Sequence, residues 1–122
     1  MECRDKLGNL KWNTGWFSNG ITNAGFAELA NLAGNVSSPT AFTYLAVGTS
    51  TTAFAASQTA LQAEITDTGL ARAAATVTRQ TTTVTNDTLQ LVHTWTATGS
   101  KTVEEVGIFN AASSGTMLGR AL

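Results

Sequence analysis

The sequence is short of cysteine, histidine and charged residues, and each shortage excludes a class of protein. The one cysteine, Cys3, cannot form an intramolecular disulfide, so a disulfide framework is excluded. The one histidine, His93, has no second histidine with which to build a zinc site. Charged residues make up 12% of the chain, against about 25% in typical soluble domains.

The charge that is present is balanced and scattered, with a formal net charge of −1. No block of Lys or Arg could track a phosphate backbone, so we expect no nucleic-acid partner. No stretch approaches the ~20 apolar residues of a membrane span, and residues 1–12 lack the apolar segment of a signal peptide. We therefore expect synthesis in the cytoplasm and no membrane partner.

Thr, Ala, Ser, Asn and Gly take the place of the missing charge, while hydrophobic content is ordinary at 43%. A lone monomer with so uncharged a surface is prone to associate. The composition therefore favours a protein whose surface is largely covered by neighbouring subunits. A Thr-rich secreted β domain is the alternative that composition leaves open.

At 122 residues the chain has the length of one domain. Residues 1–20 are expected to form an extended N-terminal arm, and residues 21–122 a single β-sandwich domain. A short helix is predicted over residues 22–32, with Thr22 or Asn23 as its N-cap. Phe26 and Leu29 fall on one face of this helix and are expected to pack against the rest of the domain.

The remainder of the chain is predicted to be β, because short strand-like runs alternate with Gly, Asn and Ser turns. The clearest period is the alternation of apolar and polar residues over Leu89–Ala97, typical of a half-buried antiparallel strand. Residues 49–68 are expected to form a loop with one helical turn around Gln58–Glu64. The fold class is therefore all-β, as a β-sandwich or a jelly-roll-like domain. The predicted strands are Phe42–Val47, Leu70–Gln80 continued to Thr85, Leu89–Ala97, Val103–Asn110 and Thr116–Leu122.

The residues that could carry out catalysis are few and badly placed for it. His93 lies on the apolar side of its strand, between Leu91 and Trp95, which is typical of a hydrogen-bonded core histidine. Glu104 and Glu105 are adjacent, so in a strand they point to opposite faces and cannot act as a carboxylate pair. This argues against a hydrolase of cell-wall glycan, and nucleophile-elbow, phosphate-loop and Cys-x-x-Cys motifs are absent. We expect no enzyme activity, no cofactor, no metal and no small-molecule substrate.

Three aromatic residues in the N-terminal arm are candidates for a protein–protein contact. Trp12, Trp16 and Phe17 lie outside any periodic core pattern and close to glycines that let the chain bend. Aromatic residues, and tryptophan above all, are enriched where binding energy concentrates in interfaces. We therefore predict that these side chains anchor the protein to a partner.

Four pieces of the sequence within residues 42–119 carry a resemblance to a known group of proteins. They are Ala46–Thr52, Thr59–Glu64, Arg72 and Glu105–Arg120. They are similar to a strand ending in AVGTGTT, a T-x-L-x-x-E turn, an Arg-containing strand and an EVGLFNAASGGTLLAR hairpin, which a group of small bacteriophage virion proteins share. Those proteins carry a Pro after the first run, where this chain has Phe54, and they continue for one or two strands beyond the point where this chain ends.

This resemblance implies a structural protein of the virion, made in the host cytoplasm and assembled on the particle. The favoured role is capsid decoration, in which a homotrimer binds the major capsid protein across capsomer junctions and helps the head resist internal pressure. The alternative is a subunit of a tail fibre or tail tip that contacts a host receptor.

The C-terminal segment is the second predicted contact. If the additional strands of the similar proteins are missing, one edge of the sheet is open, and open edges invite pairing with another chain. We therefore predict that Met117, Leu118 and Leu122 lie at or beside a subunit interface. The alternative is that this last strand pairs within its own sandwich, with Leu122 packed on the core.

Overall fold

The computed structural model describes residues 2–4, 7–13 and 20–122, and the fold is mostly β with antiparallel sheets. Strands in the described residues form two two-stranded sheets, β1-β2 and β6-β7, and one five-stranded sheet in the order β3-β9-β8-β4-β5. The elements are β1 (Glu2–Arg4), β2 (Leu10–Asn13), β3 (Gly20–Ile21), α1 (Asn23–Gly34), β4 (Tyr44–Gly48), β5 (Ala73–Ala74), β6 (Thr76–Gln80), β7 (Thr88–Val92), β8 (Glu105–Phe109) and β9 (Met117–Ala121).

The main cluster of buried apolar residues lies on one face of the five-stranded sheet, which we call the inner face. Residues opposite each other in an antiparallel pair share a face, so the pairing of Tyr44 with Phe109 and of Ala46 with Gly107 defines it. Ala46, Phe109 and Met117 are buried there together with Leu61, and Tyr44 packs against them.

The inner face is covered by the loop of residues 49–72, since Leu61 from this loop belongs to the core. The predicted helical turn around Gln58–Glu64 is wrong, because the loop is held in an extended form at its end. Glu64 bridges to Gly48, and the Ile65 amide donates to the Val47 carbonyl at 2.9 Å. These bonds use backbone groups that a helical turn would need for itself.

The predicted helix and its cap are confirmed. The Thr22 hydroxyl accepts a hydrogen bond from the Gly25 amide at 2.9 Å and donates to the Met117 carbonyl at 2.6 Å. The predicted packing face is wrong, since Phe26 is 58% exposed and Leu29 38% exposed. Gly25 is buried instead, and a Cβ there would lie 2.2 Å from the Leu118 carbonyl oxygen. Only glycine lets the helix come this close to β9, and this orientation turns the larger apolar side chains outward.

The predicted strand over Leu70–Gln80 is two strands in different sheets. β5 pairs with β4, whereas β6 pairs with β7 and leaves the five-stranded sheet. The amide of Ala75, between them, donates to the Thr43 carbonyl at 2.8 Å. The extension of this strand to Thr85 is wrong, since residues 82–86 form the bends and turn that connect β6 to β7.

The open edge predicted at the C-terminus is also wrong. β9 pairs with β8 on one side and with β3 on the other, where Gly20 lies opposite Arg120 and Ile21 opposite Gly119. The Thr22 amide extends this pairing to the Leu118 carbonyl at 2.9 Å. The residues just before the helix therefore fill the edge, and β9 is an interior strand.

Candidate interaction surfaces

The predicted N-terminal contact lies only partly in the described structure. Trp12 belongs to β2 and is paired through its backbone with Cys3 in β1. Trp16 and Phe17 lie outside the described residues. The anchoring role of these three aromatic residues stays a prediction.

The three residues of the predicted C-terminal contact have different environments. Met117 is fully buried in the core, so its inclusion in a surface contact is wrong. The reason is its register, because it lies opposite Phe109 on the inner face. Leu118 is half-buried and Leu122 is 50% exposed, so these two retain surface that a partner could cover.

Glu105 and Arg120, both in the motif shared with the virion proteins, form a buried ion pair. Arg120 Nε donates to Glu105 Oε2 at 2.5 Å, and neither side chain is accessible to solvent. The same carboxylate accepts the amides of Gln62 at 3.1 Å and Ala63 at 2.8 Å, and so holds the covering loop on the sheet. Among the described residues Arg120 Nη2 has no hydrogen-bond partner. The carboxylate is committed to structure, because its oxygens are already engaged.

Arg72 ties the same loop to the β8–β9 turn. Its Nε and Nη2 donate to the two carboxylate oxygens of Glu64 at 3.0 and 2.6 Å, a bidentate geometry that only arginine provides. Its Nη1 donates to the carbonyls of Ala111 and Ser114, and the guanidinium lies 3.6 Å from the centre of the Phe109 ring. The motif residues that carry the resemblance are therefore the residues that lock the loop in place.

His93 is half-buried and hydrogen-bonded, as predicted for a structural histidine. Its Nδ1 lies 2.9 Å from the Ala74 carbonyl, which can only accept, so Nδ1 carries the proton. The ring meets Trp95 edge-on with centroids 4.7 Å apart, and the Trp95 Nε1 donates to the Ala71 carbonyl at 2.8 Å. These bonds attach the chain after β7 to the segment before β6. No group of three His, Cys, Asp or Glu side chains in the described part of the chain could hold a metal ion.

Asp87 organises the tip of the β6–β7 hairpin. Its carboxylate accepts the amides of Thr82, Thr83 and Val84 at 2.8–2.9 Å. These donors hold the pKa of Asp87 well below its usual range, with the Val84 amide contributing most. The tip is therefore a preformed turn at neutral pH.

The β6–β7 hairpin has an apolar face that is largely exposed, although Leu91 on it is half-buried. The register places Val77 opposite Leu91 and Arg79 opposite Leu89 on this face. Leu89 is 55% exposed and Val77 is 38% exposed. We call Val77, Leu89 and Leu91 the hairpin apolar face.

The other face of the hairpin is mainly polar. Side-chain hydrogen bonds join Thr78, Gln80 and Gln90 there, at 3.0–3.4 Å. Val92, opposite Thr76, is the only apolar residue on this face. The two faces therefore differ in chemistry, although solvent reaches both.

The five-stranded sheet has a second apolar surface on the side opposite the inner face. Leu45 pairs with Ile108 there, and Val106 follows on the same side of β8. These three residues are half-buried, and we call them the outer face. Val47 and Ala121, which pair with Val106 on the same side, are buried within the chain. An antiparallel sheet that faces water normally shows polar side chains on that side. The outer face is instead typical of a sheet covered by a further layer.

Sequence reasoning missed both surfaces, although a signal for each was present. Leu89 and Leu91 belong to the period-two run, but this pattern cannot distinguish packing within the chain from packing on another chain. In β8 the apolar residues Val106 and Ile108 alternate with Gly107 and Phe109, so both sides of the strand are apolar. That pattern is typical of a strand covered on both faces.

Comparison of the chain with known protein families, with curated proteins and with solved structures finds no match. No helix in the described ranges has the length and apolar character needed to cross a membrane.

Proposed function

We propose that this chain is a non-enzymatic structural protein of a bacteriophage particle, and specifically a capsid decoration protein bound across capsomer junctions. Its partners are the major capsid protein and further copies of itself, arranged as a homotrimer. The proposal is supported by the resemblance of residues 42–119 to small virion proteins and by a surface that is low in charge.

The observation that carries the proposal is the amount of surface that the chain leaves open. A compact monomer of 12.7 kDa exposes about 6,200 Å², whereas this chain exposes 7636 Å². The excess is roughly 1,400 Å². Exposed apolar side chains on the helix and the hairpin contribute to it. A large exposed area of this kind is expected of a subunit whose surface is covered by neighbouring subunits in an assembly.

The β-sandwich expected from the sequence belongs to the same proposal. The loop of residues 49–72 covers the inner face, and on the opposite side Val47 and Ala121 are also buried within the chain. A second β layer would therefore add to the half-buried part of the outer face, at Leu45, Val106 and Ile108. We infer that a neighbouring subunit provides this layer, and that the jelly-roll-like or sandwich arrangement is complete only in the assembled particle.

The placement of the titratable side chains supports a structural role. Glu64 and Glu105 are engaged with arginines, and His93 is bonded to a backbone carbonyl. Glu64 and Glu105 hold the covering loop on the sheet, and His93 holds the chain after β7 against β5. Because these side chains are used in structural contacts, they are not placed to act as a general acid and base.

The experiment is to delete the gene from the phage that encodes it and to add the purified chain back to the resulting particles. We expect particles without the protein to lose DNA at lower temperature, and added protein to bind saturably to heads and restore the stability. Binding to tails with no effect on heads would instead support the tail-fibre or tail-tip role. Binding to neither would contradict the proposal.

A further inference from the structure

The β6–β7 hairpin is a two-stranded sheet with open edges. In the described part of the chain, β6 and β7 pair only with each other. Every residue of β6 is exposed, and β7 contains no buried residue. An isolated two-stranded hairpin is marginally stable in water, whereas three or more strands with an apolar face are stable. The hairpin therefore gains stability from any strand that is added to it.

The two edges of the hairpin differ in the protection that they carry. Folded proteins protect an open edge with charged residues, Pro or a bulge, because an unprotected strand pairs with other chains. β6 carries Arg79, whereas β7 has no charged residue and no Pro, and its register with β6 is regular. Asp87 directly precedes β7, but its carboxylate is turned towards the amides of its own loop. The β7 edge is therefore the one available for pairing.

The sequence of β7 is nearly a palindrome centred on Gln90. It reads T-L-Q-L-V, and the Thr and Val at its two ends are both β-branched and similar in shape. A contact between identical copies about a two-fold axis pairs a surface with itself, so that surface must be self-complementary. Antiparallel pairing of β7 with its own copy meets this condition, which identifies the occupant of the edge as a second copy of the chain. The same pairing of β6 would place Val77 opposite Arg79.

The register about Gln90 brings together side chains of the same kind. Leu89 lies opposite Leu91 of the partner subunit, and Gln90 lies opposite Gln90 of the partner subunit. The leucines of both copies meet on the hairpin apolar face, beside Val77, which pairs with Leu91 within each chain. On the other face the two Gln90 amides continue the row of polar side chains that begins at Thr78. Both faces of the hairpin are therefore continued across the contact without a change in chemistry.

We propose that β7 of one subunit pairs with β7 of a second copy about a two-fold axis at Gln90, which makes a four-stranded sheet in the order β6-β7-β7-β6. Arg79 on the two outer strands then opposes the addition of further strands, so the sheet closes at two hairpins. A cyclic trimer holds its subunits by head-to-tail contacts, so this two-fold contact lies outside the proposed homotrimer and links one trimer to the next. The inference goes beyond the proposed function, because the pairing does not depend on a capsid.

The first test uses disulfide cross-linking in a Cys3→Ser background. In Gln90→Cys the two thiols lie directly opposite each other, with Cα atoms about 5 Å apart, which a disulfide can bridge. The matched control is Thr78→Cys, on the same face but on β6, where three strand spacings put the two Cα atoms about 14 Å apart. Gln90 and Thr78 are both exposed, so both variants should fold as the parent does. We expect a covalent dimer as the main product for Gln90→Cys and none for Thr78→Cys. Equal cross-linking at both positions, or none at Gln90, would overturn the proposal.

The second test places charge at the two-fold axis. Gln90→Lys and Gln90→Glu each put like charges directly opposite each other, so each alone should need at least a ~10-fold higher concentration to associate in sedimentation velocity. An equimolar mixture of the two variants pairs opposite charges and should associate as well as the parent. Thr78→Lys adds the same charge to the same face of β6 and should behave as the parent does. If the mixture associates no better than Gln90→Lys alone, or if the parent does not associate, the proposed contact is wrong.

The two proposals fail in different ways. Failure of the pairing tests with normal binding to heads would remove only the contact between copies. Pairing through β7 without any binding to particles would leave this contact standing and would contradict the virion role.

Discussion

Arg120 and Glu105 lie fully buried on adjacent strands, joined by a hydrogen bond of 2.5 Å between Nε and Oε2. Glu105 also accepts two amides of the covering loop, so one carboxylate holds together β8, β9 and the loop. Charged residues make up only 12% of the chain, and this pair places two of them in the buried interior. Its role is to fix the layer beneath the outer face.

Removal of one partner of this ion pair should lower the free energy of unfolding. Arg120→Met leaves a buried carboxylate without its cation, and we expect a loss of roughly 3–5 kcal/mol in the free energy of unfolding. The combined variant Glu105→Leu/Arg120→Met buries no charge and should recover part of that loss. Urea denaturation measures both. If the free energy of unfolding of Arg120→Met lay within about 1 kcal/mol of the parent value, the ion pair would be dispensable for stability.

Arg72 should not be replaceable by lysine. Lysine cannot donate two parallel hydrogen bonds to Glu64 while also reaching the two turn carbonyls, so we expect Arg72→Lys to lose about 1–3 kcal/mol of unfolding free energy. Arg79→Lys is the matched control, since the exposed Arg79 makes no ion pair in the described structure. Thermal and urea unfolding of the two variants should differ clearly. Equal stability would mean that the bidentate geometry contributes nothing.

Gly25 should be intolerant of a methyl group. In Gly25→Ala the new Cβ would overlap the backbone of Leu118, which cannot move without disturbing β9, so we expect a loss of about 1–3 kcal/mol. At Gly34, near the other end of the helix, a Cβ would lie 3.2 Å from the side chain of the exposed Val36. Gly34→Ala should therefore be neutral or stabilising by up to ~1 kcal/mol, because alanine favours helix. A mild effect at Gly25 would contradict the close packing of α1 on β9.

The stability of the turn at the hairpin tip should depend on pH, because the Asp87 carboxylate holds this turn. The folded-state pKa of Asp87 is lowered, so its contribution to stability is present above the unfolded pKa near ~3.9 and is lost as the pH falls through the folded pKa. We expect the amide NMR shifts of Thr82, Thr83 and Val84 to stay constant from neutral pH down to about 4 and to change below it. Asp87→Asn should abolish that change. Titration of these amides near neutral pH would show that the carboxylate does not hold the turn.

Much of the local structure could be predicted from the sequence, because short-range signals determine it. Thr22 caps the helix as expected, and Glu104 and Glu105 face opposite sides. His93 makes a structural hydrogen bond from a half-buried position.

The same short-range signals do not predict which distant strands pair with each other. The edge of β9 is filled by Gly20 and Ile21, about a hundred residues earlier in the chain, so the predicted open edge does not exist. Removal of residues 120–122, which an open edge would tolerate, should instead unfold the protein, because it deletes the buried Arg120. The burial of Met117 cannot be predicted in this way either, because the pattern of a terminal strand does not reveal which neighbour covers it.

The central claim is that this chain is a structural subunit of a phage head, and its copy number tests that claim most directly. Quantitative mass spectrometry of purified particles should measure the ratio of this chain to the major capsid protein. If the chain is a decoration protein, we expect its copy number to be in fixed proportion to that of the major capsid protein. Removal of the tails should leave this ratio unchanged. A handful of copies that disappear with the tails, or none in the particle at all, would contradict the account.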